Sequence, residues 1–226
     1  MNSISSSLLI SESDKELFDS INVYSREYMS QPHYDNSHDY QHILRVLSNA
    51  HKILLSESET SEANTFDPMT VYLAALLHDV GDHKYAKVGE DIENIVSSVL
   101  IQNGATKEFA LKIQTIVKNV GWTNEKRNPE SVLGMIEQYP ELAIVQDADR
   151  LDAIGAVGVG RCFAYTGAKC QGRPMMDAIE HFEDKLYKLA TAMKTETGKK
   201  MAQERQKVLK DFAAQFVKES KLSFEL

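Results

Sequence analysis

His78 and Asp79 stand side by side where an apolar run ends, in AALLHDVGDHKYAK, and both side chains bind divalent metals. A neutral imidazole nitrogen beside an anionic carboxylate oxygen suits a borderline or hard cation. Two other stretches can complete a coordination shell. SHDYQHILRV supplies His38 and His42 upstream, and VQDADRLDAIG supplies Asp147, Asp149 and Asp152 downstream. On a helix, His38 and His42 lie one turn apart, as do Asp149 and Asp152, whereas Asp147 points elsewhere and reads as a solvated or supporting carboxylate. A mixed N/O centre of this kind polarises a phosphoryl oxygen and lowers the pKa of a bound water.

Helices must position these side chains, because the apolar spacing is helical nearly throughout. Ser13 is placed to cap a helix that carries Leu17, Ile21, Tyr24 and Tyr28 and ends before Pro32. A second helix is expected over 39–56, presenting His42, Val46, Asn49 and Ile53, followed by an exposed loop, SESETSEANTF. Asp67 and Pro68 form a start signal for MTVYLAALLHDVG, and Gly81 stops that helix just past the His-Asp pair. Further helices are expected over 89–102, 106–120, 140–165, 177–195 and 197–220, with a turn or short helix over 130–138. No strand alternation or fixed repeat competes, so the fold class is all-α: one domain over 12–226, C-terminal covering helices included, behind a flexible tail at 1–11.

Composition bounds the function. The 226 residues carry 42% hydrophobic and 26% charged residues, as in an ordinary globular protein large enough for a sizeable core. A net charge of -8 argues against a nucleic-acid polymer as partner but leaves room for a local basic pocket for phosphate. Cys162 and Cys170 match no zinc or redox spacing, which points to a reducing compartment. The opening MNSISSSLLISESDKE lacks a basic n-region and a long apolar h-region. The expectation is therefore a cytoplasmic, alternatively nuclear, protein without a membrane partner.

His42, His78-Asp79 and Asp149, set in HILRV, LLHDVGDHK and DADRLDAIGAVG, resemble the H…HD…D signature of HD-domain metal-dependent phosphohydrolases. The resemblance continues through HFEDKLYKLATAMKTETGKKMAQER and so covers nearly the whole chain. It is to small stand-alone members that include bacterial nucleoside triphosphate pyrophosphohydrolases. It implies an all-α fold with His42, His78, Asp79 and Asp149 on one divalent cation, manganese first, with cobalt, iron, magnesium, nickel or zinc as alternatives. Asp82 matches an acidic position proposed in relatives to assist water attack, with a turn-capping aspartate as the alternative. His83 and Lys84 follow it as candidate substrate contacts, His83 being equally readable as an exposed turn residue. His38 is either a further substrate contact or a residue that stabilises the helix start.

Arg45, one turn from His42, can pair with phosphate or lock a neighbouring carboxylate. For Arg150 the structural ion pair is the first reading. Lys185 and Arg205 could close a basic rim. Arg161, Tyr165 and Arg173 border the GAKCQGRP loop at a cleft entrance, and Trp122 reads as a packing anchor. The implied activity is hydrolysis of a small-molecule nucleotide, a nucleoside triphosphate, to monophosphate and pyrophosphate, and a homodimer is the base-rate expectation for an enzyme of this size. Alternatives are 5'-nucleotidase action, a di-iron oxygenase and a metal-binding module without turnover. Alarmone hydrolysis fits less well, because DRLDA departs from the DRLHN of those enzymes, with Ala153 in place of asparagine. The full ligand pattern of a two-metal cyclic-nucleotide phosphodiesterase is also missing.

Overall fold

The computed structural model describes residues 4–32, 34–35, 37–60, 66–82, 91–170 and 172–224. Among the described residues every regular element is helical: α1 (Lys15–Met29), α2 (Tyr40–Thr60), α3 (Pro68–Leu77), α4 (Ile95–Gln102), α5 (Lys107–Lys118) and α6 (Trp122–Arg127), then α7 (Pro129–Gln138), α8 (Glu141–Asp152), α9 (Gly155–Lys169), α10 (Met176–His181), α11 (Tyr187–Thr191) and α12 (Glu196–Glu219). A π-turn over Phe182–Leu186 joins α10 to α11.

α3 is the axis of the molecule. Every residue from Met69 to Leu77 is buried, as an all-round apolar helix must be, and α1, α2, α5 and α8 pack around it. Its start follows the sequence signal: the Asp67 carboxylate accepts from the Met69 and Thr70 amides at 3.2 Å each. The Asp67 amide in turn donates to Glu141 at the start of α8, which also receives Lys112 of α5. Where α3 ends, Ser25 Oγ donates to the Leu76 carbonyl at 2.7 Å, and the Gly81 amide donates to Tyr28 Oη at 3.2 Å. The turn bearing His78 and Asp79 is thus held from below by α1. Gly81 takes φ +78°, and a Cβ there would lie 2.9 Å from Ile95 Cγ2, so glycine is needed at this turn.

Several expected boundaries shift. α2 continues to Thr60, so the first residues of the expected loop are helical. Residues 61–65 lie outside the described ones, as do 83–90, where the next helix was expected to begin. The helix expected over 140–165 is broken in two: Ile154 is extended and Gly155 takes φ +75°, which turns α9 back across the molecule toward α12. Trp122–Arg127 forms a helix where none was expected. Asp14 rather than Ser13 occupies the N-cap position of α1, and its side chain makes no capping bond.

The segment expected as a tail is docked over its described part. Ser5 is buried and reaches Asp19, and the Leu9 amide donates to Tyr72 Oη. Leu8 and Ile10 pack against the core. No helix among the described residues is long and apolar enough to cross a membrane.

Candidate metal centre and cleft

Three helices deliver the expected ligand atoms to one point. α2 brings His42, the C-cap of α3 brings His78 with Asp79 next to it, and α8 brings Asp149. His42 Nε2 lies 3.1 Å from His78 Nε2, and each lies 3.6 Å from Asp149 Oδ1. Asp79 straddles the pair, with Oδ2 3.3 Å from His42 Nε2 and Oδ1 3.4 Å from His78 Nε2. Among the described residues, His42, His78 and Asp149 form a grouping whose ligand atoms all fall within 4.8 Å of one another.

The hydrogen bonds behind the rings decide what those nitrogens can do. His78 Nδ1 meets the Ala75 carbonyl at 2.9 Å, and a carbonyl only accepts, so Nδ1 carries the proton. His42 Nδ1 meets Asp152 Oδ2 at 2.7 Å, and a carboxylate likewise accepts. In their neutral forms both rings therefore turn Nε2 lone pairs toward each other and toward two carboxylates. Asp79 Oδ2 is buried without a hydrogen-bond partner. Converging lone pairs with an orphaned buried oxygen repel unless a cation sits among them, so the donor set fits a divalent metal.

The electrostatics show the same demand for positive charge at this point, which without the cation favours a proton on His42. Burial, together with Arg161, disfavours charge on His42, but Asp152 and Asp79 outweigh both and raise its pKa above the ordinary value. Burial would raise Asp79, yet His78 and His42 hold it well below the usual carboxylate range, so it stays anionic.

The centre opens into a cleft of about 920 Å³, within the range of small-molecule sites. His38 and Asp82 line it, the His38 ring 6.0 Å from that of His42, and His38 Nδ1 lies 2.7 Å from Ser37 Oγ. Arg161, Tyr165 and Arg173, expected at the cleft entrance, line it, and so does Lys185, expected with Arg205 at a basic rim. Lys118, Trp122, Asn124 and Arg127 line the cleft as well, and of these the sequence marks only Trp122. GWTNEKR gave a compositional hint, but only the fold of α6 against α8 brings it to the site. Arg150 is buried, bonded to Glu125 and to the Ala192 carbonyl, with its guanidinium 5.2 Å above the Trp122 ring. It is a structural ion pair, and Trp122 is both packing partner and cleft wall.

Other expected contacts lie elsewhere. Arg45 does not line the cleft; its Nε and Nη2 grip the two oxygens of Asp152 at 2.8 and 3.1 Å, which is the carboxylate-locking alternative. Arg205 is engaged by the Leu151 carbonyl and Asn49 and sits in a separate small pocket with Arg45. His83 and Lys84 lie outside the described residues. Asp147 is neither solvated nor near the centre: buried, it receives the Lys194 and Thr195 amides and the Thr195 hydroxyl, and burial raises its pKa despite those donors. Asp152, weighed as a rival ligand to Asp149, stands behind His42 and is held below the usual carboxylate range. Burial opposes that, and His42, Arg45 and Arg161 overcome it.

Residues 39–154 match the HD domain family model. The chain is 34% identical over 189 residues to the Bacillus subtilis protein YpgQ, covering 81% of this chain and 85% of that protein. The crystal structure of YpgQ in complex with ADP superposes with a TM-score of 0.70 at 30% identity, covering 91% of this chain and 96% of that one. An HD-superfamily hydrolase from Bacillus thuringiensis superposes with a TM-score of 0.66 at 31% identity, covering 91% and 97% of the two chains.

Proposed function

This chain belongs to the HD-domain family and is a metal-dependent phosphohydrolase, and from that premise we propose that it hydrolyses nucleoside triphosphates to nucleoside monophosphates and pyrophosphate. The observation that carries the reading is the convergence of the His42 and His78 Nε2 atoms on Asp149 and the orphaned Asp79 oxygen, at the floor of a cleft with cationic walls. His42, His78, Asp79 and Asp149 would hold the cation. When bound, the cation supplies a Lewis acid for a phosphoryl oxygen and lowers the pKa of water.

The remaining work falls to side chains around it. Asp82, three residues beyond Asp79 on the cleft wall, orients the attacking water and takes its proton as the water oxygen bonds to phosphorus. The phosphoanhydride P–O bond breaks and pyrophosphate leaves with that bond's electron pair. Lys118, Arg127, Arg161, Arg173 and Lys185 offset the charge of the phosphate chain, and His38 meets the substrate beside the centre. Lys84 and His83, next to Asp82 in sequence, are assigned to phosphate on the same reasoning. Trp122 and Tyr165 offer aromatic surface to a base. The ADP in the YpgQ complex supports a nucleotide as the occupant. Manganese is the proposed metal, because a mixed imidazole and carboxylate set with room for water suits it.

The test is a panel of nucleoside tri-, di- and monophosphates with manganese, cobalt, magnesium and zinc, measuring phosphate and pyrophosphate separately. Metal-dependent pyrophosphate release from triphosphates is expected. Phosphate release from monophosphates alone would assign a 5'-nucleotidase instead, and oxygen consumption by a two-iron form would overturn hydrolysis.

A further inference from the structure

We propose that Asp152 is the positioning residue of the metal centre: it fixes His42 with Nε2 toward the cation and, through Arg161, holds the backbone that carries His38. The inference rests on the reading of His42 as a metal ligand. The Asp152 side chain is 2% exposed, and Oδ2 receives His42 Nδ1 at 2.7 Å, Arg161 Nη1 at 3.1 Å and Arg45 Nη2 at 3.1 Å, while Oδ1 receives Arg45 Nε at 2.8 Å. Both oxygens are committed at the Nδ1 end of the imidazole, the end away from His78, Asp79 and Asp149. Asp152 therefore acts on the cation through His42 and does not ligate it.

The two imidazoles are held by different means. His78 is oriented within its own helix by the Ala75 carbonyl. The matching partner of His42 comes from another helix, since Asp152 lies on α8 one turn beyond Asp149. A single rigid element thus supplies one ligand and the support of another. Arg45 fixes the carboxylate from α2 and Arg161 fixes it from α9, which offsets the cost of burying the charge. Arg161 extends the line, because its Nε donates to the Ser37 carbonyl at 2.7 Å and Ser37 Oγ touches His38. Metal ligand and cleft wall are set by the same carboxylate.

The experiment uses the full chain with two readouts. In zinc-loaded wild-type protein, imidazole 15N shifts are expected to show His42 protonated at Nδ1 and metal-bound through Nε2. Ligation through Nδ1, or a proton on Nε2, overturns the proposal. Manganese titration by electron paramagnetic resonance is expected to give Asp152→Asn a dissociation constant about 10–100-fold weaker than wild type. Arg45→Ala, which removes one clamp from outside the cleft, should show a smaller loss in the same direction. Manganese binding by a folded Asp152→Asn at wild-type strength, even with a lowered melting temperature, shows a merely structural role and overturns the proposal. The 15N measurement needs no variant, so an Asp152→Asn protein that does not fold leaves the proposal exposed to refutation. Wild-type protein that binds no metal defeats the metal-centre reading itself, whereas wild-type binding with an unaffected variant defeats only the role of Asp152.

Discussion

At the scale of single residues, Asp79 and Asp82 lie three positions apart yet answer to different tests. Asp79 faces both Nε2 atoms and keeps a buried oxygen without a hydrogen-bond partner, which underlies its proposed role as a metal ligand. Asp82 lines the cleft beyond that centre. Asp79→Ala is expected to lose metal and activity together, measured by metal analysis of the purified protein. Asp82→Asn is expected to keep its metal while kcat falls about 10²–10⁴-fold, the usual worth of a positioned proton acceptor. The raised pKa of His42 makes a further prediction. In metal-free protein, protonated His42 contributes stability that is fully present below the unfolded value of about 6.5 and is lost as pH rises through the higher folded value. The cation needs the neutral ring, so protons compete with it in the acid range. The gain in melting temperature on adding manganese should therefore widen from pH 6 to pH 8. A gain that shrinks with pH would contradict the assignment of His42.

At the scale of elements, legibility depended on whether a signal was local. α3 could be read because its cap, its proline, its apolar run and its stopping glycine are contiguous, and the ligands on it came with them. The break between α8 and α9 was hidden. DAIGAVGVGR falls inside the single helix expected over 140–165, while the extended Ile154 and the positive φ of Gly155 arise where α9 folds back against α12. That fold-back carries Arg161 and Tyr165 to the cleft, so part of the wall could be suspected but not placed. Asp147 was hidden in a different way: its partners, Lys194 and Thr195, lie in the turn leading into α12. The first turn of α12 has no room for a side chain at Gly198, where a Cβ would lie 2.3 Å from Asp147 Oδ2. Gly198→Ala is expected to cost about 1–3 kcal/mol. Calorimetry should show this as a melting-temperature drop of about 2–4 °C per kcal/mol for a chain of this size. An unchanged melting temperature would mean that the turn relaxes freely and that Asp147 does not fix it.

At the scale of the molecule, an acidic chain of net charge -8 holds a cleft lined by Lys118, Arg127, Arg161, Arg173 and Lys185 as well as by the carboxylates of the centre, Glu93 and Asp177. Those cations suit the small phosphorylated substrate proposed above. The cleft is lined from many parts of the fold, with residues of α6, α9 and α10 joining those of α2, the end of α3, α5 and α8. The cleft is thus assembled only by the complete fold. The most direct measurement is product release from a nucleoside triphosphate by protein stripped with a chelator and then titrated with manganese. Pyrophosphate release should be absent from the stripped protein and return in proportion to metal bound, saturating at one ion per chain. Turnover that survives stripping, or metal bound in full without any pyrophosphate, would contradict the account.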